Sequence, residues 1–144
     1  MKTINQMRLS FPSKSCNEAF ARGAISSFIT PLDPTINELN DLKTAVSEAV
    51  TNCIVHGYKR QSGTIYIYAS VKDDNTVTVK IRDKGVGIED ISKAMEPLFT
   101  TSPEEERAGL GFAVMQSFCD KVKVKSALQK GTTVTLIKRI GADG

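Results

Sequence analysis

Two runs of alternating apolar residues constrain this chain more than any other feature. Ile65, Ile67, Ala69 and Val71 alternate with polar neighbours, and after Asp73-Asp74-Asn75 the pattern resumes at Val77, Val79 and Ile81. A period of two puts each set on one face of a strand, and an Asp/Asn turn between them closes an antiparallel hairpin. The apolar face of that hairpin has to be covered. Upstream, Thr35 precedes a long amphipathic segment carrying Ile36, Leu39, Leu42, Val46, Ala49, Val50, Cys53 and Ile54, with Glu38 placed for a capping box and Gly57 at a natural stop. An earlier helix is expected from about Cys16 to Phe28, capped by Ser13 or Ser15, with Phe20, Ala24 and Phe28 at helical spacing.

The remaining strands are read the same way. Met7, Leu9 and Phe11 alternate and are stopped by Pro12, while Val122 to Ala127 and Thr132 to Ile140 form a pair joined through Gly131. Leu110 to Cys119 reads as a helix, and Glu96 to Gly111 has no clear period. Helices grouped against a mixed, mainly antiparallel sheet make an α+β two-layer sandwich. A length of 144 residues predicts one domain, 1–144.

Several classes are disfavoured. Cys16, Cys53 and Cys119 are odd in number, far apart and accompanied by one histidine, which argues against a disulfide framework or structural zinc. No apolar run is long enough to span a membrane and no signal peptide is apparent, so a cytoplasmic protein with reduced thiols is expected. The net charge of +3 is mild. Lys121, Lys123 and Lys125 alternate with Val122 and Val124, a strand with one solvated face rather than a nucleic-acid stripe.

Three constellations are suited to chemistry. Glu48, Asn52 and His56 fall four residues apart on the long helix, beside apolar neighbours. A carboxamide oxygen there suits a hard cation such as Mg²⁺, and a carboxylate one turn away suits the orientation of an attacking hydroxyl; an ordinary solvated stripe has the same spacing. Asp83-Lys84-Gly85-Val86-Gly87-Ile88 ends a strand, where glycines admit a flat ligand and Asp83 is an acceptor for an exocyclic amine; a plain turn also fits. Gly109-Leu110-Gly111 opens the predicted helix behind Arg107, a place where free amides favour phosphate, although a charged loop before a core helix reads alike. No GxxxxGK[ST], dinucleotide fingerprint or nucleophile elbow is present.

Taken in order, these segments resemble the GHKL superfamily of ATPases and kinases, which includes gyrase and histidine kinases. Glu48 to Gly57 looks like its N-box, Asp83 to Gly87 its first glycine box, Gly109 to Phe112 its second, and Gly131 to Val134 its terminal GT box. Pro97-Leu98-Phe99-Thr100-Thr101, Pro103-Glu104 and Arg107 to Phe112 are similar to the lid of the anti-sigma F family of serine kinases from spore-forming bacteria. The similarity runs from about Met7 to Lys138.

That resemblance implies ATP/ADP and Mg²⁺ as cofactors. Asn52 is implied as the Mg²⁺ ligand and Glu48 as general base, with Asp83 reading adenine beside Thr132 or Thr133 and with Gly85 and Gly87 shaping the pocket. Thr100, Thr101, Gly109, Leu110 and Gly111 belong to the implied lid, and Arg107 contacts the γ-phosphate. His56 is either a phosphate-side contact or a packed helix end. Implied partners are a sigma factor, which is silenced, an anti-anti-sigma protein, which is phosphorylated on serine, and a second copy in a homodimer. Arg22 matches a partner-docking position; neither nucleic acid nor membrane is implied. A general-stress anti-sigma kinase, or a nucleotide-gated clamp without phosphotransfer, would carry the same boxes.

Overall fold

The strands form where the alternation places them. In the computed structural model, which describes residues 2–95 and 103–141 without the side chains of 93 and 103–109, β1 (Thr3–Pro12) precedes the hairpin of β2 (Thr64–Lys72) and β3 (Thr76–Asp83). Ile67 pairs with Ile81 and Ala69 with Val79, and Asn75 turns the chain at φ 66°, a left-handed conformation that Asn tolerates. β4 (Lys121–Ala127) and β5 (Gly131–Arg139) complete a sheet of order β1-β2-β3-β5-β4, in which every neighbouring pair is antiparallel.

Helices cover one face. α1 (Cys16–Ile29) packs on α2 (Ile36–Asn52), and α2 packs on α4 (Pro103–Phe118); α3 (Ile91–Ala94) is a single turn that the sequence pattern did not foretell. Leu42, Val46 and Val50 of α2, Ile25 and Ile29 of α1, and Met115 of α4 meet Ile65, Ile67, Val77, Val79, Ile81 and Leu136 of the sheet in one fully buried core. Each such aliphatic side chain contributes about 1.5–3 kcal/mol by leaving water. Val122, Val124 and Ser126 are half-buried on β4, and its three lysines are exposed as the alternation predicts.

The predicted faces differ from the structure at two places. On α1 the buried seam is Ala21, Ile25 and Ile29, one residue round from Phe20, Ala24 and Phe28; Phe20 is 56% exposed and touches Phe11 edge-on, with centroids 6.0 Å apart. Neither serine caps this helix, because Ser13 is engaged with Gly63 and the Ser15 side chain makes no cap bond. Ile36, the first residue of α2, is 77% exposed.

The cap of α2 forms as expected. The Thr35 hydroxyl accepts from the Glu38 amide at 3.1 Å, and the Glu38 carboxylate accepts from Thr35 N–H at 2.9 Å and from Gly141 N–H at 2.7 Å. Those amides, Thr35's above all, hold the Glu38 carboxyl below its usual value. Thr35→Ala is expected to cost about 1 kcal/mol in chemical denaturation. A depressed folded pKa contributes stability above the ordinary carboxylate range, which is lost as pH falls through the folded value. The stabilities of the wild type and Glu38→Gln should therefore converge on strong acidification.

Candidate functional site

The long helix does not run straight to Gly57. After Asn52 it widens into a π turn, Cys53–Gly57, in which Tyr58 N–H reaches the Cys53 carbonyl at 2.9 Å. Single π turns of this kind are frequent at functional sites. The regular four-residue stripe therefore holds from Glu48 to Asn52, while His56 is carried round by the wider turn. It still lines the same cavity as Asn52.

The π turn brings Gly57 against the end of β3. A Cβ on Gly57 would lie 2.7 Å from the Asp83 carboxylate, and one on Gly85 would collide with the Gly57 carbonyl. That same carbonyl accepts from Val86 N–H at 2.9 Å, and the Val86 carbonyl accepts from Gln129 N–H at 2.8 Å. The glycine loop is thus clamped between the helix end and the β4–β5 turn. Gly87 makes its bend with φ +78°, a backbone open to glycine at little cost.

Asp83 is the buried acid of the site, 3% exposed. Gly85 N–H donates to its Oδ1 at 2.9 Å, and the Thr132 amide and the Cys53 thiol donate to the carboxylate as well. Burial raises its pKa from the ordinary aspartate value and these donors only partly offset it. A cavity of about 750 Å³ opens beside it, lined among others by Asn52, His56, Gly87, Ile88, Phe112 and Thr132. Ser126 ties its floor together, accepting from Ile88 N–H at 2.7 Å and sharing a hydrogen bond with the Thr132 hydroxyl at 2.8 Å.

At the other end of the cavity α4 approaches α2. A Cβ on Gly111 would lie 3.1 Å from Glu48 Oε2 and 3.4 Å from both Asn52 side-chain ends. The Asn52 Nδ2 is buried with no hydrogen-bond partner among the described residues, and such an orphan is costly unless a further group completes it. The helix position of the second glycine box is a correction. α4 begins at Pro103, so Gly109, Leu110 and Gly111 lie inside it rather than at its N-terminus. Proline suits a first helical position, and Glu104 to Glu106 suit the positive end of the dipole, so the start falls there. Leu110 is half exposed. The Arg107 side chain, Thr100 and Thr101 lie outside the described residues.

The structure thus brings together Glu48, Asn52, His56, Asp83, Gly85, Gly87, Gly111 and Thr132. Arg22 does not join them: it pairs on α1 with Glu18, Nε to Oε1 2.6 Å, and Glu18 also accepts from the Ser47 hydroxyl. Sequence reasoning missed Cys53 as a partner of Asp83 and missed Ser126. The signal for Ser126 was available, because it takes the inward position where the Val122–Val124 alternation calls for a third apolar residue. Among the described residues no group of three or more His, Cys, Asp or Glu is placed to hold a metal. A hard cation with one carboxamide oxygen and otherwise phosphate and water ligands fits that donor set. No helix among the described residues is long and apolar enough to cross a membrane.

The clamp gives a direct test. Gly85→Ala should destabilise the fold by about 1–3 kcal/mol in denaturant titration, because the added methyl displaces the Gly57 carbonyl.

The model of the histidine kinase-like ATPase domain matches residues 13–138. An anti-sigma F factor of Thermoanaerobacter sp. (strain X514) is 56% identical over 143 residues, 99% of each chain. Those of Clostridium acetobutylicum and Priestia megaterium are 50% and 49% identical over 94% of this chain. Among solved structures, the RsbU and RsbW domains of Rv1364c from Mycobacterium tuberculosis superpose with a TM-score of 0.69 at 18% identity, covering 95% of this chain and 33% of that one. The histidine kinase domain of a blue-light activated kinase from Erythrobacter litoralis gives 0.56 at 19% identity, covering 85% and 60%. The chain belongs to the histidine kinase-like ATPase family, in the branch that holds the anti-sigma F factors.

Proposed function

We propose that this single-domain chain is a cytoplasmic, magnesium-dependent protein serine kinase that binds a sigma factor and phosphorylates an anti-anti-sigma protein, working as a homodimer. The observation that carries the reading is the meeting of Glu48 and the orphaned Asn52 amide at Gly111, on the rim of a cavity whose floor holds the buried Asp83. An acid for an exocyclic amine at one end, and a carboxylate–carboxamide pair at the other, fit a nucleotide lying between them. The names of the relatives, anti-sigma F factors, support the partner class.

Each residue then has a task. Asp83, with Thr132 beside it, accepts from the adenine amine, while Gly85 and Gly87 let the loop approach the ring. Asn52 would hold Mg²⁺, which neutralises charge on the phosphates. Glu48 takes the proton from the incoming serine hydroxyl as that oxygen attacks the γ-phosphorus and ADP leaves. Arg107, Thr100, Thr101 and Gly109 to Gly111 would close on the phosphate side, and His56 is placed on the same wall. Arg22, held on α1 by Glu18, is assigned to partner docking. ATP is proposed to favour sigma binding and ADP the dephosphorylated antagonist.

The test is phosphotransfer from labelled ATP to the purified anti-anti-sigma protein of the same organism. Wild type should label a serine, and Glu48→Gln should retain ATP binding while losing label by about 10²-fold or more. Label at the normal rate in the variant would remove Glu48 as base, and no label from wild type despite ATP binding would leave a clamp without transfer. Because burial raises the Asp83 pKa, its negative charge is lost on acidification earlier than that of an ordinary aspartate. ATP affinity by calorimetry should accordingly decline at a higher pH than the titration of an ordinary aspartate would give. Asp83→Asn should bind weakly at every pH.

A further inference from the structure

The face of the sheet that carries no helix is unusually uniform in charge. The register places Arg8, Lys80, Arg82, Lys121, Lys123 and Lys125 on it, all six exposed. They lie in rows across the strands: Tyr66, Arg82, Thr133 and Lys125 form one, and Arg8, Tyr68, Lys80, Thr135 and Lys123 the next. Among the described residues no Asp or Glu shares the face, and none of the six cations takes part in an ion pair; the two recorded pairs involve Arg22 and Lys138. With Lys72 and Arg139, which the register puts on the same side of β2 and β5, eight of 19 basic residues sit here, which leaves 11 against 16 acidic residues over the rest of the chain. The net charge of +3 is therefore a basic face on an otherwise acidic molecule.

Folding alone does not call for this arrangement. Lysines on the edge strand β4 would discourage strand pairing with another chain, but Lys80 and Arg82 lie on the central strand β3. Lys80 and Lys123 flank Thr135 from two strands apart, roughly 10 Å by ordinary strand spacing. That is about one Debye length at physiological salt, so their repulsion is only partly screened. A hollow of about 850 Å³ runs over this face between Arg8 and Lys130.

We propose that the helix-free face is a docking surface for an acidic protein partner. Charge selects the occupant. A second copy laid face to face would set like charges against each other. A nucleic acid would stack bases on the exposed aromatics, yet the rings are already covered: the Arg8 guanidinium stands 5.3 Å from the Tyr68 centroid and the Lys84 ammonium 4.9 Å from that of Tyr66. What the face offers outward is donors, with the hydroxyls of Thr133 and Thr135 between cations. Carboxylates on a protein surface satisfy such a set. The proposal does not rest on the kinase reading, because none of the six cations lines the cavity that Asn52 and His56 share.

The test titrates the isotope-labelled full chain with an oligoglutamate and, separately, an oligouridylate of equal charge, following backbone amide shifts at physiological salt. Oligoglutamate should shift amides of β3, β4 and β5. Lys80→Gln/Lys123→Gln should weaken it by about tenfold, with melting temperature and nucleotide affinity unchanged; Lys123→Gln/Lys125→Gln on the edge strand serves should the first pair disturb folding. Shifts scattered over the molecule or centred on α1, or an affinity indifferent to both double variants, would overturn the proposal. So would tighter binding of oligouridylate that falls with Tyr66→Leu, which would make the face a nucleic-acid platform.

Discussion

Everything at the cavity depends on how closely the end of α2 can approach the end of β3. Two glycines, Gly57 and Gly85, stand where any side chain would separate them. The hydrogen bond from Val86 to the Gly57 carbonyl is the direct result. This one contact sets the height of Asp83 relative to Asn52. It also buries the aspartate, which then needs the amides of Gly85 and Thr132 and the Cys53 thiol to remain tolerable as an anion. The π turn belongs to the same constraint: a regular helix would have delivered Gly57 at a different angle.

Much of the layout was legible because it follows from period. The β2–β3 hairpin, the capped start of α2 and the solvated lysines of β4 are each dictated by alternation or by a local cap. Adjacent residues decide these, so no tertiary information is needed. The buried face of α1 was not legible in the same way. Phe20 and Phe28 are large and apolar, yet the smaller set Ala21, Ile25 and Ile29 faces α2, since the approach of the two helices decides the seam.

The candidate site divides along the same line. Glu48 and Asn52 were readable as neighbours one helical turn apart, and Asp83 as a strand-end acid beside glycines. That these lie on one cavity, with Gly111 pressed against the first two, depends on α4 crossing α2, which no local pattern encodes. The start of α4 was misplaced because glycines at 109 and 111 read as a helix entrance. Pro103 and the glutamates after it favour an earlier start, at roughly 1 kcal/mol of cost for each glycine enclosed.

The segregation of charge has a further physical meaning. A body with one basic face and acidic surroundings carries a large electric dipole moment, and in the field of a charged partner it experiences a torque before any atoms touch. Collisions are then no longer random in orientation. Added electrolyte would slow the encounter while leaving the lifetime of a formed complex largely alone, since short-range contacts govern dissociation. The distribution of lysine and arginine over the sheet thus acts on how fast and in what pose the molecule is met.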